Sequence, residues 1–230
     1  MPSQVAVVLS GCGRADGSEI TEAVSTLIHL SRHGVAYRCF APDAPQTDVI
    51  NHATGKPAPS GQTRNMMVEA ARISRGDITP LSKLNPADFS AVIFPGGFGA
   101  AKNLCTFASP TEKGGANCDV LPEVAGIIKA FHTAKKPIGL ICIAPVLAAR
   151  VLGTRQGGPG VKVTIGTDQQ TADAIATMGA THVPRGVVDA YIDDNNKVVT
   201  TPAYMYDAAK PNQVFEGIGK LVDGVVGLMK

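Results

Sequence analysis

The string "PIGLICIAPVL", which starts at Pro137, carries an apolar run into a cysteine and then, almost at once, into a proline and a helix-like segment. Strand, cysteine, small residue, proline, helix is the pattern of a nucleophile elbow, a sharp turn that presents a reactive side chain at the end of a sheet. Cys142 would stand just ahead of a helix N-terminus, whose dipole and free N–H groups favour a thiolate. Pro145 suits the first helical turn, where a missing N–H costs nothing. The bland alternative is core filling, because free cysteine is among the most buried residue types.

Two further features belong with this thiol. "AVIFPGGFGA" ends a strand on Gly96-Gly97, where glycine lets the backbone bend and come close to a ligand. The N–H of Gly97, with that of Ile143 after the cysteine, would form an oxyanion hole. Glu19 and Glu22 lie in the first turns of the first helix and share a face. One reading is simple dipole complementarity. The sharper one places a carboxyl group beside Cys142, kept protonated by burial and able to move a proton.

No histidine is evidently placed as a base: His29, His33 and His132 fall on helices, His52 in a long loop, and His182 at or near a strand. "GCGRADG" lacks the G-x-G-x-x-G spacing of a dinucleotide site.

The elements that must position these groups are legible as an alternation. "VAVVLS" (5–10) is a continuous apolar run suited to a central parallel strand. The helix after it shows capping-box spacing between Asp16 and Glu19, an apolar face of Ile20, Val24, Leu27 and Ile28, and a stop at Gly34. "VAYRCFAP" is the next strand. Residues 43–65 read as a long loop, functional or disordered. Then come a short helix ("NMMVEAARI"), the strand "AVIF", the helix "LPEVAGIIKAFHTAKK", the strand "PIGLIC" and the helix "APVLAARVLG". "VKVTIGT" (161–167) reads as a strand, "QTADAIATMG" as a helix, and "VVDAYIDDNNKVVTTPA" as a hairpin turning at 194–196. The last helix puts Val214, Ile218, Leu221, Val222 and Val225 on one face. The expected fold is α/β: one domain over residues 1–230, with a doubly wound, mostly parallel, flavodoxin-like sheet between helix layers. Such sheets carry their sites at the carboxyl ends of the strands.

Composition narrows the function classes. The 230 residues are 44% hydrophobic and 17% charged, which marks a globular chain. A net charge of +2, few aromatic residues and no tryptophan argue against nucleic acid and against an anionic membrane surface. No apolar run is long enough to span a bilayer. The five cysteines are scattered, without zinc spacing, which suits a reducing compartment. The expected location is the cytoplasm, or the mitochondrial matrix for a chain that has lost a transit peptide.

"IFPGGFGA", "IGLICIAP" and the acidic first helix, in this order, resemble the ThiJ/PfpI superfamily, which has the class I glutamine-amidotransferase-like fold. "LSGCG", "ADGSEI", "CFAPD", "PGGFGAAKNL", "CIAP", "TIGTD" and "VTTPAYM" look most similar to the branch of the bacterial ElbB glyoxalase and its eukaryotic amidotransferase-like relatives. The resemblance implies Cys142 as nucleophile, Gly97 and Ile143 as oxyanion donors, and a catalytic glutamate. Counting back from Gly34 gives Glu22, with Glu19 as second choice. It also implies a homodimer.

One departure decides the chemistry. Protease-like and amidotransferase members have His directly after the cysteine, and this chain has Ile143. A Cys–Glu pair suits the glyoxalase members instead. These convert a small reactive aldehyde, glyoxal, to glycolate through a cysteine hemithioacetal, with no metal or other cofactor and with an apparent deglycase activity as a close variant. The competing reading is a redox-sensing or partner-binding amidotransferase-like protein with little or no turnover. A third is a non-catalytic subunit that feeds a pathway enzyme.

Overall fold

The computed structural model describes residues 4–229. The chain opens with β1 (Gln4–Val8), α1 (Ile20–Arg32) and β2 (Ala36–Ala41). A small hairpin of β3 (Ile50–Asn51) and β4 (Lys56–Pro57) precedes α2 (Met66–Ala70) and β5 (Ile78–Pro80). β6 (Ala91–Phe94), α3 (Phe98–Lys102), α4 (Pro122–Thr133), β7 (Ile138–Ile141) and α5 (Pro145–Leu152) follow. The C-terminal third holds β8 (Lys162–Val163), α6 (Gln169–Thr177), β9 (Thr181–His182), β10 (Tyr191–Asp193), β11 (Val198–Thr201) and α7 (Pro211–Leu228).

Seven strands form one sheet in the order β10-β11-β7-β6-β1-β2-β5. Every neighbouring pair is parallel except the β10–β11 hairpin. The central strands β1, β6, β7 and β11 are buried almost throughout, as strands covered on both faces must be. α1 and α7 cover one face through Ala23, Leu27, Leu30, Ile218, Leu221 and Val225. α4 and α5 cover the other, with Ile128, Phe131, Leu147 and Ala148 in its core. From β1 the chain winds outward to β2 and β5, then returns to the far side of β1 as β6. The strand order therefore reverses between β1 and β6, and a ligand crevice is expected at their carboxyl ends.

Four local readings need correction. The capping box does not form: α1 starts at Ile20, with Glu19 itself as N-cap, its Oε2 accepting from the N–H of Glu22 at 2.8 Å. Asp16 lies in the preceding turn, where its Oδ2 accepts from the N–H of Ile50 at 2.7 Å. The apolar stripe of α1 is only partly inward, since Ile20, Val24 and Ile28 are exposed while Leu27 is buried. The buried side is Glu22, Ala23, Ser25, Thr26, Leu27 and Leu30, where α7 and the sheet cover the helix. Of 161–167 only Lys162–Val163 is strand, and it pairs with β9 in a separate two-stranded sheet. The 43–65 segment is not a structureless loop: it carries the β3–β4 hairpin, and the Asp16 carboxylate ties it to the end of β1.

Candidate active site

Three strand ends build the site. After β7 the chain turns at Cys142 with φ of 62°, a left-handed conformation that non-glycine residues seldom adopt. The turn is held because the Cys142 N–H still donates to Thr201 O at 2.9 Å, continuing the β7–β11 ladder one residue past the strand. The residues after it cannot follow the sheet, and α5 begins at Pro145. This is a strained strand-to-helix turn of the kind that presents a nucleophile.

After β6, the glycines are required by space as well as by dihedral angle. A Cβ on Gly96 would lie 2.5 Å from Cys142 Cβ and 2.7 Å from Glu22 Oε2. Gly97 has φ of 87°, and a Cβ there would meet the backbone of Gly17 and Glu19 at 2.5 Å. With both side chains absent, the β6 turn nests against the α1 N-terminus and the thiol, and the N–H groups of Gly97 and Ile143 point at the Cys142 sulfur.

Glu22 enters from α1 and has no solvent exposure. Its Oε2 accepts from the Gly96 N–H at 2.9 Å, its Oε1 accepts from the Tyr204 N–H at 3.3 Å, and the carboxyl is in hydrogen-bond contact with the Cys142 thiol. Burial and the neighbouring Glu19 carboxyl push Glu22 up to about 8, against two N–H donors that favour the carboxylate. Glu22 is thus mostly a neutral acid at pH 7. Glu19, the second-choice acid, caps α1 and lines the cavity, and burial raises its carboxyl as well.

The thiol answers the same forces. Burial, then the Glu22 carboxyl, push Cys142 well above the ordinary thiol value, although the N–H groups of Gly97 and Ile143 favour the thiolate. The expectation of a thiolate favoured by the helix end is overturned here, because burial and a facing carboxyl outweigh the oriented N–H groups. Alkylation of the folded protein is therefore slow at Cys142 at pH 7 and accelerates only at a pH above the range of an ordinary thiol. A rate already at its plateau near pH 6, measured by mapping the labelled peptide, would show that the N–H groups win.

Cys142 is 7% exposed and lines a cavity of about 690 Å³. Phe98, Phe107, Ile143 and Met205 give it apolar walls, and an Arg14–Asp207 ion pair of 3.0 Å stands at the exposed rim. None of the histidines lines it. His29 bonds Phe215 O, His33 pairs with Asp223, His132 faces Asn196, and His52 packs on the 13–16 turn. Among the described residues no cluster of three or more His, Cys, Asp or Glu side chains is arranged to hold a metal ion.

Sequence reasoning missed Tyr204. Its contribution is a backbone N–H, which no residue type announces, and only the turn after β11 brings it to Glu22. The Thr201 carbonyl that holds Cys142 was equally silent.

A mostly parallel seven-stranded sheet with a cysteine at a strained strand end and a buried glutamate beside it is the arrangement of an amidotransferase-like domain. A DJ-1 superfamily protein from Salmonella typhimurium shares this fold with a TM-score of 0.53 at 22% identity, over 99% of this chain and 88% of that one. No family model matches the chain. A human protein, glutamine amidotransferase-like class 1 domain-containing protein 3, mitochondrial, is 50% identical over 235 residues, covering 98% of this chain and 83% of the relative. An isoprenoid biosynthesis protein with an amidotransferase-like domain from Ehrlichia chaffeensis superposes with a TM-score of 0.88 at 35% identity, over 99% of this chain and all of that one. The chain belongs to the family of glutamine amidotransferase-like class 1 domain proteins.

Proposed function

We propose that this protein is a cofactor-independent glyoxalase that converts glyoxal to glycolate. The observation that supports this best is the contact between a buried, mostly neutral Glu22 carboxyl and the Cys142 thiol, with no histidine in the cavity. The sulfur of Cys142 adds to one aldehyde carbon. Glu22 takes the thiol proton and gives its own to the carbonyl oxygen, toward which the Gly97 and Ile143 N–H groups also donate. The product is a hemithioacetal. In its ionised form Glu22 then removes the C–H proton of the former aldehyde carbon and returns it to the neighbouring carbon, leaving a thioester. Water releases glycolate and the thiol. Glyoxal plus one water equals glycolate, so no electron donor or acceptor is needed.

An amide would need its leaving nitrogen protonated, and the Ile143 side chain at the position after the nucleophile cannot do this. Addition to an aldehyde expels no leaving group. The test is glycolate formation from glyoxal together with ammonia release from glutamine. Wild type forms glycolate and releases no ammonia, Cys142→Ser forms none, and Ile143→Ala keeps much of the activity, because its N–H survives. Because Glu22 acts protonated in the first step and ionised in the second and titrates near 8, kcat passes through a maximum near pH 8 and falls on either side. Ammonia release at a comparable rate, or a stoichiometric reaction that stops after one event per Cys142, would replace this reading with amidase chemistry or with the redox-sensing one.

We propose that the protein is a homodimer, which its mass in solution tests. The mitochondrial name of the human relative supports the matrix alternative for the compartment.

A further inference from the structure

The cavity over Cys142 is much larger than glyoxal. It holds about 690 Å³, inside the range of about 300–1,000 Å³ usual for a drug-sized ligand, whereas glyoxal has only two carbons and two oxygens. Much of its wall is apolar: Phe98, Phe107 and Met205 line it, and the small side chains of Ala101, Ala108 and Ala174 leave the space open. Phe107 and Met205 are half-buried and pack on the core beneath α4 and α5, whereas Phe98 joins neither side of the core. Phe98 directly follows the oxyanion donor Gly97, and its N–H donates to Arg14 O at 2.7 Å, which fixes its backbone. Yet Phe98 is 47% exposed, and among the described residues no other aromatic ring packs on it. The Lys102 ammonium lies 5.2 Å from the ring centroid and is itself paired with Asp48. A single exposed apolar side chain is ordinary on a protein surface. This one is held a residue away from the reacting centre, on the wall of its cavity.

The charges on the lining select against an anionic substituent. Arg14, Glu19, Asp168 and Asp207 reach the cavity. Arg14, the one cation on it among the described residues, is already paired with Asp207 at 3.0 Å. Asp168 caps α6, its Oδ1 accepting from the Thr171 N–H at 2.8 Å. A phosphate or carboxylate tail would thus meet carboxyl groups and no free cation, at the cost of its own hydration. An uncharged apolar group meets no such cost and gains by leaving water.

We propose that the aldehyde taken by this site is a 2-oxoaldehyde whose ketone carbon carries an uncharged aryl or long alkyl group lying on Phe98, with glyoxal only the smallest member of the class. This rests on the glyoxalase reading and extends it. Phenylglyoxal illustrates the step. The Cys142 sulfur bonds to the aldehyde carbon, and the thiol proton passes by way of Glu22 to the aldehyde oxygen. Ionised Glu22 then carries the C–H proton of that carbon to the ketone carbon, leaving a thioester of mandelate. Water breaks the C–S bond and restores the thiol. Phenylglyoxal plus one water equals mandelic acid, with the aldehyde carbon oxidised and the ketone carbon reduced within one molecule. Glycolate is achiral, but mandelate records the face on which the proton arrived. Glu22 approaches from α1 alone, so with the ring held on Phe98 one enantiomer forms in excess.

The test compares initial rates of mandelate formation from phenylglyoxal and of glycolate formation from glyoxal, each above a Cys142→Ser blank, with mandelate resolved by chiral chromatography. We expect wild-type kcat/KM to favour phenylglyoxal by about 10–100-fold, as for burial of one aromatic ring, with one mandelate enantiomer dominant. In Phe98→Ala the preference falls at least about tenfold and the enantiomeric excess drops. Both are ratios, so a general loss of active protein cancels from them. Mandelamide and glycolamide, which are uncharged and differ by the phenyl group, give a readout without turnover: calorimetry shows mandelamide binding at least about tenfold more tightly. The proposal is overturned if glyoxal is turned over as well as phenylglyoxal or better, a result that leaves the glyoxalase reading standing. It is overturned equally if mandelamide binds no more tightly than glycolamide. Absence of hydroxy acid from both aldehydes removes the glyoxalase reading and this substrate class with it.

Discussion

Glu22→Gln lowers glycolate formation from glyoxal by about 10²–10⁴-fold, the usual loss of one general acid–base group, and makes the folded protein more stable at pH 8. The two effects have one cause. The wild-type carboxyl titrates near 8 in the fold and in the ordinary carboxylate range when unfolded. A group whose folded pKa is raised contributes stability that is present in full below the unfolded pKa and is lost as pH rises through the folded one. The window is thus from pH 4.5 to 8, where the unfolded chain sheds a proton that the fold retains. Glutamine does not titrate, so the variant escapes this loss. Its gain over wild type is absent at pH 4 and reaches several kcal/mol, of order 4 at most, by pH 8. Chemical denaturation of both proteins at the two pH values measures it. The variant also lacks the carboxyl that holds the thiol up, so alkylation of Cys142 speeds up at neutral pH even as turnover falls. Loss of turnover with slower alkylation would mean that Glu22 activates the thiol instead of moving protons. Unchanged turnover, with a large loss in Glu19→Gln, would move the acid one turn earlier.

Gly96→Ala removes activity more completely than any change of a cavity wall. The new methyl group would fall 2.5 Å from Cys142 Cβ, 2.7 Å from Glu22 Oε2 and 2.8 Å from Ile141 O; the first and last belong to or adjoin the backbone, and the carboxyl oxygen is held by the Gly96 N–H. Relief requires the β6 and β7 turns to separate or Glu22 to leave its N–H donors. Overpacking of this kind costs about 1–3 kcal/mol, and we expect at least about 10²-fold off kcat, as for a displaced catalytic group. Thermal unfolding and kcat on the same sample separate the two. A Gly96→Ala protein with wild-type kcat would show that the contact between the carboxyl and the thiol is not needed.

The parts of this molecule that were legible in the sequence share a property: the residue itself carries the signal. Continuous apolar runs marked β1, β6 and β7, and the spacing of Val214, Ile218, Leu221 and Val222 marked the buried face of α7. Cys142, Gly97 and Glu22 stood out by type and by position at strand or helix ends. What stayed hidden was relational. Ile20, Val24 and Ile28 make a convincing inward face by periodicity, yet which side of α1 is buried depends on α7, which lies far off in sequence. Asp16 looked like a cap because capping is a local pattern, whereas its partner, the Ile50 N–H, is 34 residues away. The acidity of Cys142 was misjudged for the same reason. The helix end is local, but the burial and the carboxyl that outweigh it come from the assembled fold.

The Tyr204 N–H that holds Glu22, and the α7 helix that packs over α1, come from residues 204–228, synthesised long after Glu22 and Cys142. A nascent chain that has reached Ala190 already carries Cys142 and Glu22 but lacks β11, whose Thr201 carbonyl fixes the thiol's turn. At that stage the glutamate has neither its second donor nor its cover, so it behaves as an ordinary surface acid, and the thiol is a common one. The geometry of the site therefore waits on the segment from Val198 onward. A chain clipped near residue 200 keeps the Cys142 and Glu22 side chains but loses the Thr201 carbonyl and the Tyr204 N–H that hold them, so the site depends on a segment that contributes neither of these side chains.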